Sequence, residues 1–521
     1  MNKFCKSTLI SRRSILQQGL FWLSAGLSQP LWAAADPRPN VIVITTDDMG
    51  MEIGAYGDAQ ARTPYIDQMA REGVLFKRAY VTQSSCSPCR SSIITGLYPH
   101  QNGQIGLEQF GYTMRRGIPT LFSKLKASGY YTGWFGKVHV GPGDEMEASW
   151  DVHPFGAPFT SKVEKMAGWA EGFMKDAGER PFLLYYNLAD PHAPFHDQIE
   201  GVPENPRQAG ELKPWPWIGI QNASRVDQLV ASYYNCVERA DRGVGYLQEA
   251  LQKVGKDSNT LIIFISDNGS GFPRAKTHNY NAGTQTPFIL RWPGKFKAGS
   301  VRDELVSVID ILPTILDACG MERPDGLPGS SVLPLCRGEK IPWRDVVFSE
   351  HTAHCPHQYF PRRAVFDGRY LLIWNLEGGS RKNPFPEGDV RSKVIIDLIG
   401  QKMDGSALDQ ALDRAIAPPM FELIDLHNDP AELVNLADNP EYAPMVEALK
   451  KRIQGWQKET ADPLRIPENL KLMSTWHDEL TATEEPKDAK GRPPYVQIEY
   501  VKPRYESLMK QIDANNPPVK K

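Results

Sequence analysis

The sequence predicts an α/β fold, a mostly parallel β-sheet flanked by helices. Three observations carry that prediction: short, almost wholly apolar runs, amphipathic helical stretches between them, and a polar cluster closing each run. The first run, NVIVIT at 40–45, shows no polar alternation, as a strand covered on both faces requires, and it stops at Asp47 and Asp48. Helical patterns follow at 65–72 and 119–127. The second run, PFLLYYNLA at 181–189, stops at Asp190, Pro191 and His192. A long amphipathic pattern at 226–254 leads to the third run, TLIIFIS at 260–266, which stops at Asp267 and Asn268. Strands and helices in alternation imply crossover connections, and such sheets bind ligands at the carboxyl ends of their strands.

A length of 521 residues allows two or three domains. Residues 1–35 read as a signal peptide: basic residues Lys3, Lys6, Arg12 and Arg13, an apolar stretch at 20–27, and Ala33, Ala34 and Ala35 fitting a cleavage site. The Arg12-Arg13 pair resembles a twin-arginine leader, so the expected location is periplasmic or secreted. The apolar stretch falls well below the roughly 20 residues that span a bilayer, so no membrane anchor is expected. The main domain is expected at 36–375, a smaller α+β domain at 376–483, and a tail at 484–521 that wraps the surface or is partly disordered. Removing the four leader cations takes the formal charge from −3 to −7, which argues against a nucleic-acid partner. Seven cysteines are too few for a disulfide framework, and none has zinc spacing with histidine. Cys86 and Cys89 form a C-x-x-C, which by itself reads as a redox pair or half a metal site.

Asp47, Asp48, Asp267 and Asn268 offer only hard oxygen ligands from the ends of two strands. Acids after a strand also cap the next helix, but a second acidic pair after a second strand shifts the reading toward a cation. Oxygen-only ligation selects Ca²⁺, or Mg²⁺, over zinc. The segment CSPCRSSIITG at 86–96 places Cys86, Pro88 and Arg90 in a Cys-x-Pro-x-Arg pattern, followed by Ser91, Thr95 and Gly96. It resembles the signature of type I sulfatases, an alkaline-phosphatase-like fold in which that cysteine is converted by a maturation enzyme to formylglycine (3-oxoalanine). The resemblance implies metal ligation by Asp47, Asp48, Asp267, Asn268 and the modified Cys86. It also implies catalytic roles for Arg90, Lys137 and His139 in GKVHVG, His192 in DPHAP, and Lys276 in AKTHNYNAGTQTPF, and it extends through FELIDLHNDPAELVNLADNPEY at 421–442.

Within that family the chain is most similar to the heparan N-sulfatase branch, through TGLYPHQNGQIGL, GKVHVGP and SDNGSGFP. Two features depart from it: Lys276 stands where that branch carries arginine, and Ala193-Pro194 after His192 follows the O-sulfatase pattern. The implied substrate is a sulfated saccharide, N-sulfoglucosamine or an O-sulfated polysaccharide fragment, cut from its end. Hydrolysis of sulfate needs a nucleophile aimed at sulfur, positive charge around the sulfonyl oxygens and an acid for the leaving group. A cysteine thiolate would form a stable adduct, whereas an aldehyde hydrate attacks with one hydroxyl and releases sulfate through the other. By analogy His139 is the base for that second hydroxyl, and Arg90 stabilises the oxyanion. Lys137, His192 and Lys276 hold the sulfate and protonate the leaving atom. Asp190 is expected to bind a sugar hydroxyl or amine, or to end its strand. His351, His354 and His357 crowd EHTAHCPHQYF, read as substrate recognition or as a plain loop, with a zinc site including Cys355 third. The alternatives to a sulfatase are a formylglycine-dependent phosphonate or phosphodiester hydrolase of the same fold, and a sulfoglycan-binding module with unmodified Cys86.

Overall fold

Eight strands build the larger sheet: β1 Asn40–Thr46, β2 Val74–Tyr80, β3 Tyr131–Gly136, β4 Phe182–Asn187, β5 Thr260–Ser266, β6 Gln285–Thr286, β7 Phe288–Arg291 and β8 Ser300–Ser307. They come from a computed structural model that describes residues 38–154, 161–217, 224–382, 406–483, 487–488 and 490–516. The expected signal peptide at 1–35 lies outside the described residues. Strand order is β3-β4-β1-β5-β7-β2-β6, with β8 beside β2. β3, β4, β1 and β5 run parallel. Because β7 is antiparallel to both β5 and β2, those two share a direction, and β8 runs parallel to β2.

The three runs are apolar throughout because both faces of the sheet are covered. Val41 and Val43 pack on one face with Tyr185, Ile263 and the helices Cys86–Thr95, Leu121–Ala127 and Ile311–Ala318. Ile42 and Ile44 pack on the other with Tyr186, Phe264 and the helices Pro64–Glu72, Val163–Asp176 and Ser224–Lys253. The last of these turns Val226, Val230, Tyr233, Val237, Ala240, Val244, Leu247 and Leu251 inward, a stripe spaced by three and four residues. Burying each of its larger side chains contributes roughly 1.5–3 kcal/mol.

Register aligns the strand ends. Thr46 lies opposite Ser266, Thr45 opposite Asn187, and Gly136 opposite Asn187. The polar residues that follow β1, β3, β4 and β5 therefore emerge side by side. At Gly136, φ is +86° and a Cβ would stand 2.0 Å from the Asn187 carbonyl oxygen, so only glycine lets β3 end this close to β4.

A second, antiparallel sheet consists of β9 Val347–Ala353, β10 Tyr359–Phe366, β11 Tyr370–Asn375 and β12 Phe421–Asp425, in the order β12-β11-β10-β9. The helix Ala443–Glu459 covers it through Val446, Leu449, Ile453 and Trp456. The expected boundary between 375 and 376 cuts this sheet after its third strand. β9 and the start of β10 carry the His-rich stretch EHTAHCPHQYF, which reads as substrate recognition or a plain loop, and both strands are buried almost throughout. Both sheets belong to one unit, Pro37–Lys521. The tail at 484–521, expected to wrap the surface or be partly disordered, carries the helix Ile498–Asn515, anchored by buried Val501, Tyr505, Leu508, Met509 and Ile512.

His477, buried in the helix Pro467–Thr481, lends the fold a pH dependence. Its Nδ1 donates to the Met473 carbonyl at 2.9 Å, so its Nε2 accepts from the Tyr112 hydroxyl at 2.9 Å. Burial pushes its pKa down to about 3, whereas an unfolded histidine titrates near ~6.5. Between those values acid protonates the unfolded chain and not the folded one, so stability present above the unfolded value is lost as pH falls. Chemical denaturation from pH 7 to 4 should show His477→Gln losing less stability than the parent, by up to ~1.4 kcal/mol per pH unit. Equal slopes for the two proteins would contradict this origin.

Candidate active site

The carboxyl edge of the larger sheet gathers most of the residues singled out by the sequence. Asp47 and Asp48 leave β1, and Asp267 and Asn268 leave β5. All four are buried, and the Asp48 N–H donates to Asp267 Oδ1 at 3.1 Å. Lys137 follows β3 and reaches Asp47 Oδ2 at 2.8 Å. Lys276 approaches from the loop after β5 and reaches Asp48 Oδ1 at 2.6 Å, where Asn268 Nδ2 also donates at 2.9 Å. Gly269 permits the tight exit of this loop, since a Cβ there would stand 1.8 Å from the Ala282 carbonyl oxygen.

Cys86 opens a wholly buried helix, and its Sγ lies 3.6 Å from Asp47 Oδ1. One turn on, Arg90 turns back under the strand ends. Its Nε and Nη2 meet Asp267 Oδ2 at 2.9 and 2.8 Å, Nη1 meets Asn187 Oδ1 at 2.7 Å, and Nη2 lies 3.6 Å from Asp47 Oδ2. Asn187 escaped the sequence reading; its only signal was an amide inside an otherwise apolar run.

Three carboxylates thus face three cations. Burial would raise the Asp47 carboxyl, but Lys137, His192, Arg90 and Lys276 outweigh it and hold the group well below the usual carboxylate range. Asp267 goes the other way, raised to about 6 by burial and by the charge of Asp47. Burial pushes the Cys86 thiol up to about 12 against the pull of Lys137 and Lys276, so the unmodified side chain is a poor thiolate.

Ligand atoms of Asp47, Asp48, Cys86 and His192 lie within 4.8 Å of one another. Asn268 Oδ1 is buried with no hydrogen-bond partner among the described residues, an oxygen acceptor left open at the same place. Asp267 stands outside that tightest group, and Arg90 and the Asp48 N–H engage its two oxygens. The donor set of carboxylates and an amide oxygen fits a hard divalent cation. Asp47, Asp48 and Arg90 side chains have no exposure, whereas Lys137, Lys276 and His192 retain 11%, 9% and 25%. The latter three form the rim that a ligand reaches.

His192 Nε2 lies 3.9 Å from Asp48 Oδ2, while its Nδ1 meets the Ala193 carbonyl at 2.5 Å. His139 meets the Gln109 side-chain oxygen through Nε2, and burial, with the charge of Lys137, pushes its pKa well below the usual imidazole value. His354, at the end of β9, reaches Ser85 Oγ at 2.8 Å, one residue before Cys86. Two expected substrate contacts stand elsewhere. Asp190 is held by Arg239 of the long helix at 2.9 and 2.7 Å, so its carboxylate is committed to a buried ion pair and not to a sugar. His351 is buried within β9 beside Arg362, His354, His278 and Arg363. Four non-glycine residues here adopt left-handed backbone, Asp48, His139, Arg274 and Thr277, with φ of 65°, 56°, 63° and 68°. Each stores roughly 1–3 kcal/mol, a concentration of strain typical of functional sites.

Residues 39–321 match the family described as Sulfatase, and residues 274–379 match that described as N-sulphoglucosamine sulphohydrolase, C-terminal. The human protein named N-sulphoglucosamine sulphohydrolase is 32% identical over 477 residues, covering 82% of this chain and 91% of its own. A protein of Formosa agariphila named Ulvan-active sulfatase is 29% identical, covering 83% and 82%. Among solved structures, one described as a complex with its substrate D-glucosamine-2-N,6-O-disulfate matches with a TM-score of 0.61 at 19% identity, covering 82% of this chain and 98% of that one. The phosphonate monoester hydrolase of Agrobacterium radiobacter matches with a TM-score of 0.59 at 20% identity, covering 81% and 96%. At these identities both structures speak to the fold alone.

Proposed function

The chain belongs to the sulfatase family and hydrolyses sulfate esters or sulfamates, and from that premise we propose that it desulfates saccharides through a formylglycine made from Cys86. The observation that carries this reading is the convergence of Cys86, Asp47 and Lys137 at one strand end, with Sγ 3.6 Å and Nζ 2.8 Å from the same carboxylate. Asp47, Asp48, Asp267 and Asn268 would hold Ca²⁺ or Mg²⁺, which polarises the sulfo group and adds positive charge to a set already balanced between three carboxylates and three cations. Cys86, once converted to formylglycine, would supply the nucleophilic hydroxyl.

The remaining chemistry falls to unmodified side chains. Lys137 and Lys276 each carry an ammonium with three donors, tied by one to a carboxylate and able to turn others toward sulfonyl oxygens. With Nδ1–H of His192 donating to the Ala193 carbonyl, Nε2 faces the site and carries a proton only in the imidazolium, which burial opposes and the charges of Asp48 and Asp47 favour; from that form the proton passes to the leaving oxygen or nitrogen as the bond to sulfur breaks. His139 receives the proton that sulfate release requires. Arg90 is too enclosed to meet substrate, and its charge stabilises the position beside Cys86 while fixing the strand ends. A saccharide substrate is supported by the names of the human and Formosa relatives, and the leader pattern at 1–35 supports export of a chain already folded and modified. The phosphonate hydrolase shares the fold at 20% identity, which does not reach its substrate.

Mass spectrometry of the peptide containing residue 86 from active enzyme should find an aldehyde that reacts with hydrazide; active enzyme with only cysteine there would defeat the proposal. Asp48→Ala should lose bound calcium and about 10²–10³-fold in turnover while its circular dichroism stays unchanged; retained calcium would mean that the acids serve packing alone. For His192→Ala, activity on O-sulfated glucosamine should fall at least about tenfold further than activity on an aryl sulfate, whose phenolate departs without a proton. Equal losses on the two substrates would reassign His192 to sulfate binding.

A further inference from the structure

Gln109 belongs to none of the roles assigned above, yet it touches one of the residues that carry them. It sits in the short turn Glu108–Phe110 with its side chain exposed, and its Oε1 meets His139 Nε2. With the amide oxygen turned to the ring it can only accept, and the tautomer that suits it has the hydrogen on Nε2 and the lone pair on Nδ1. That Nδ1 is buried without a hydrogen-bond partner among the described residues, and the charges around the ring are those of Lys137, Asp47, Arg90 and His354. The ring thus keeps its open nitrogen inside the enclosure while Gln109 holds the other from the solvent side.

The turn bearing Gln109 is fixed from three directions. The Glu108 N–H donates to Ser87 Oγ at 3.0 Å, one residue beyond Cys86, and the Leu107 N–H donates to the His354 carbonyl at 2.9 Å. The third support is the C-terminal helix Ile498–Asn515, which lies beyond both family matches. Its Tyr505 hydroxyl donates to the Gly103 carbonyl, and its Asp513 takes both Nε and Nη2 of Arg115, at 3.0 and 2.5 Å. Its backbone presses so closely on Gly111 that a Cβ there would stand 2.7 Å from Lys502 N.

We propose that Gln109 is a positioning residue for His139: it fixes the tautomer whose lone pair lies on the buried Nδ1, on a turn that the C-terminal helix braces. The proposal rests on the reading of His139 as the base of the site. Comparable outer contacts that orient a histidine are worth about 10–100-fold in activity, and exposure of Gln109 makes its replacement harmless to folding.

Four variants test it with 4-nitrophenyl sulfate as the probe: Gln109→Leu, Gln109→Glu, His139→Ala and the Leu/Ala double variant. Gln109→Leu should lower kcat about 10–100-fold with KM within about threefold, and Gln109→Glu, which keeps an acceptor, should recover most of the loss. In the His139→Ala background the same Leu substitution should cost nothing further. Nitrogen-15 spectra of the imidazoles should show His139 as a single tautomer in the parent and a mixture in Gln109→Leu. Losses that multiply in the double variant, a raised KM with unchanged kcat, or an unchanged tautomer would each overturn the proposal while leaving His139 as base. Undiminished kcat in His139→Ala would instead remove the base reading, and the proposal with it.

Discussion

Arg90 is the constraint on which the site is built. Its guanidinium has no exposure and reaches Asp267 after β5, Asp47 after β1 and Asn187 at the end of β4. A planar fork with five donors can tie three strand ends to the helix that begins at Cys86, whereas a lysine, a compact point charge, lacks the breadth to span them. Burying that charge is tolerable only because carboxylates meet it, and burying those carboxylates so close together is tolerable only because Arg90, Lys137 and Lys276 offset them. The position of Cys86 relative to Asp47 follows from this mutual dependence.

The same dependence explains why strain collects here. Asp48 holds its left-handed backbone because its N–H donates to Asp267 and its carbonyl accepts from the Tyr233 hydroxyl at 3.0 Å. Thr277 holds its own through bonds to Ser84 and Arg362, and Arg274 through bonds to Trp217 and Glu432. In each case the stabilising partners lie far away in sequence, so the local conformation is imposed by the completed fold and not by local propensity.

That distance also decides what the sequence made legible. The three buried runs, the long helix at 226–254 and the acids at the strand ends were readable because each is a local pattern with a direct physical cause, two-sided burial or amphipathic spacing. The resemblance around Cys86 carried the family. For Asp190, read as a sugar contact or a strand end, the ion pair was hidden because Arg239 lies on the long helix, 49 positions away, and a pairing at that range leaves no local mark. The strands around His351 left no local signal, because charged and imidazole side chains look solvated until Glu350 is seen to pair with His100, and Arg363 with Asp462, beneath the surface. The C-terminal helix was hidden by a composition rich in lysine and proline, although its apolar residues at 501, 505, 508 and 512 keep helical spacing.

The second sheet bears on chemistry for a related reason. It docks through main-chain bonds to the segments on either side of the Cys86 helix: Glu350 N–H to the Thr82 carbonyl at 2.7 Å, Ala353 N–H to the Ile105 carbonyl at 3.2 Å, and Leu107 N–H to the His354 carbonyl at 2.9 Å. Main-chain bonds are indifferent to side-chain identity, so this docking can persist while the residues displayed beside it change. His354 is the residue so displayed, reaching Ser85 at 2.8 Å at the threshold of Cys86. The larger sheet therefore supplies the fixed charges gathered at its carboxyl edge. The smaller sheet, joined by main-chain bonds on both sides of the Cys86 helix, brings His354 to Ser85 beside it.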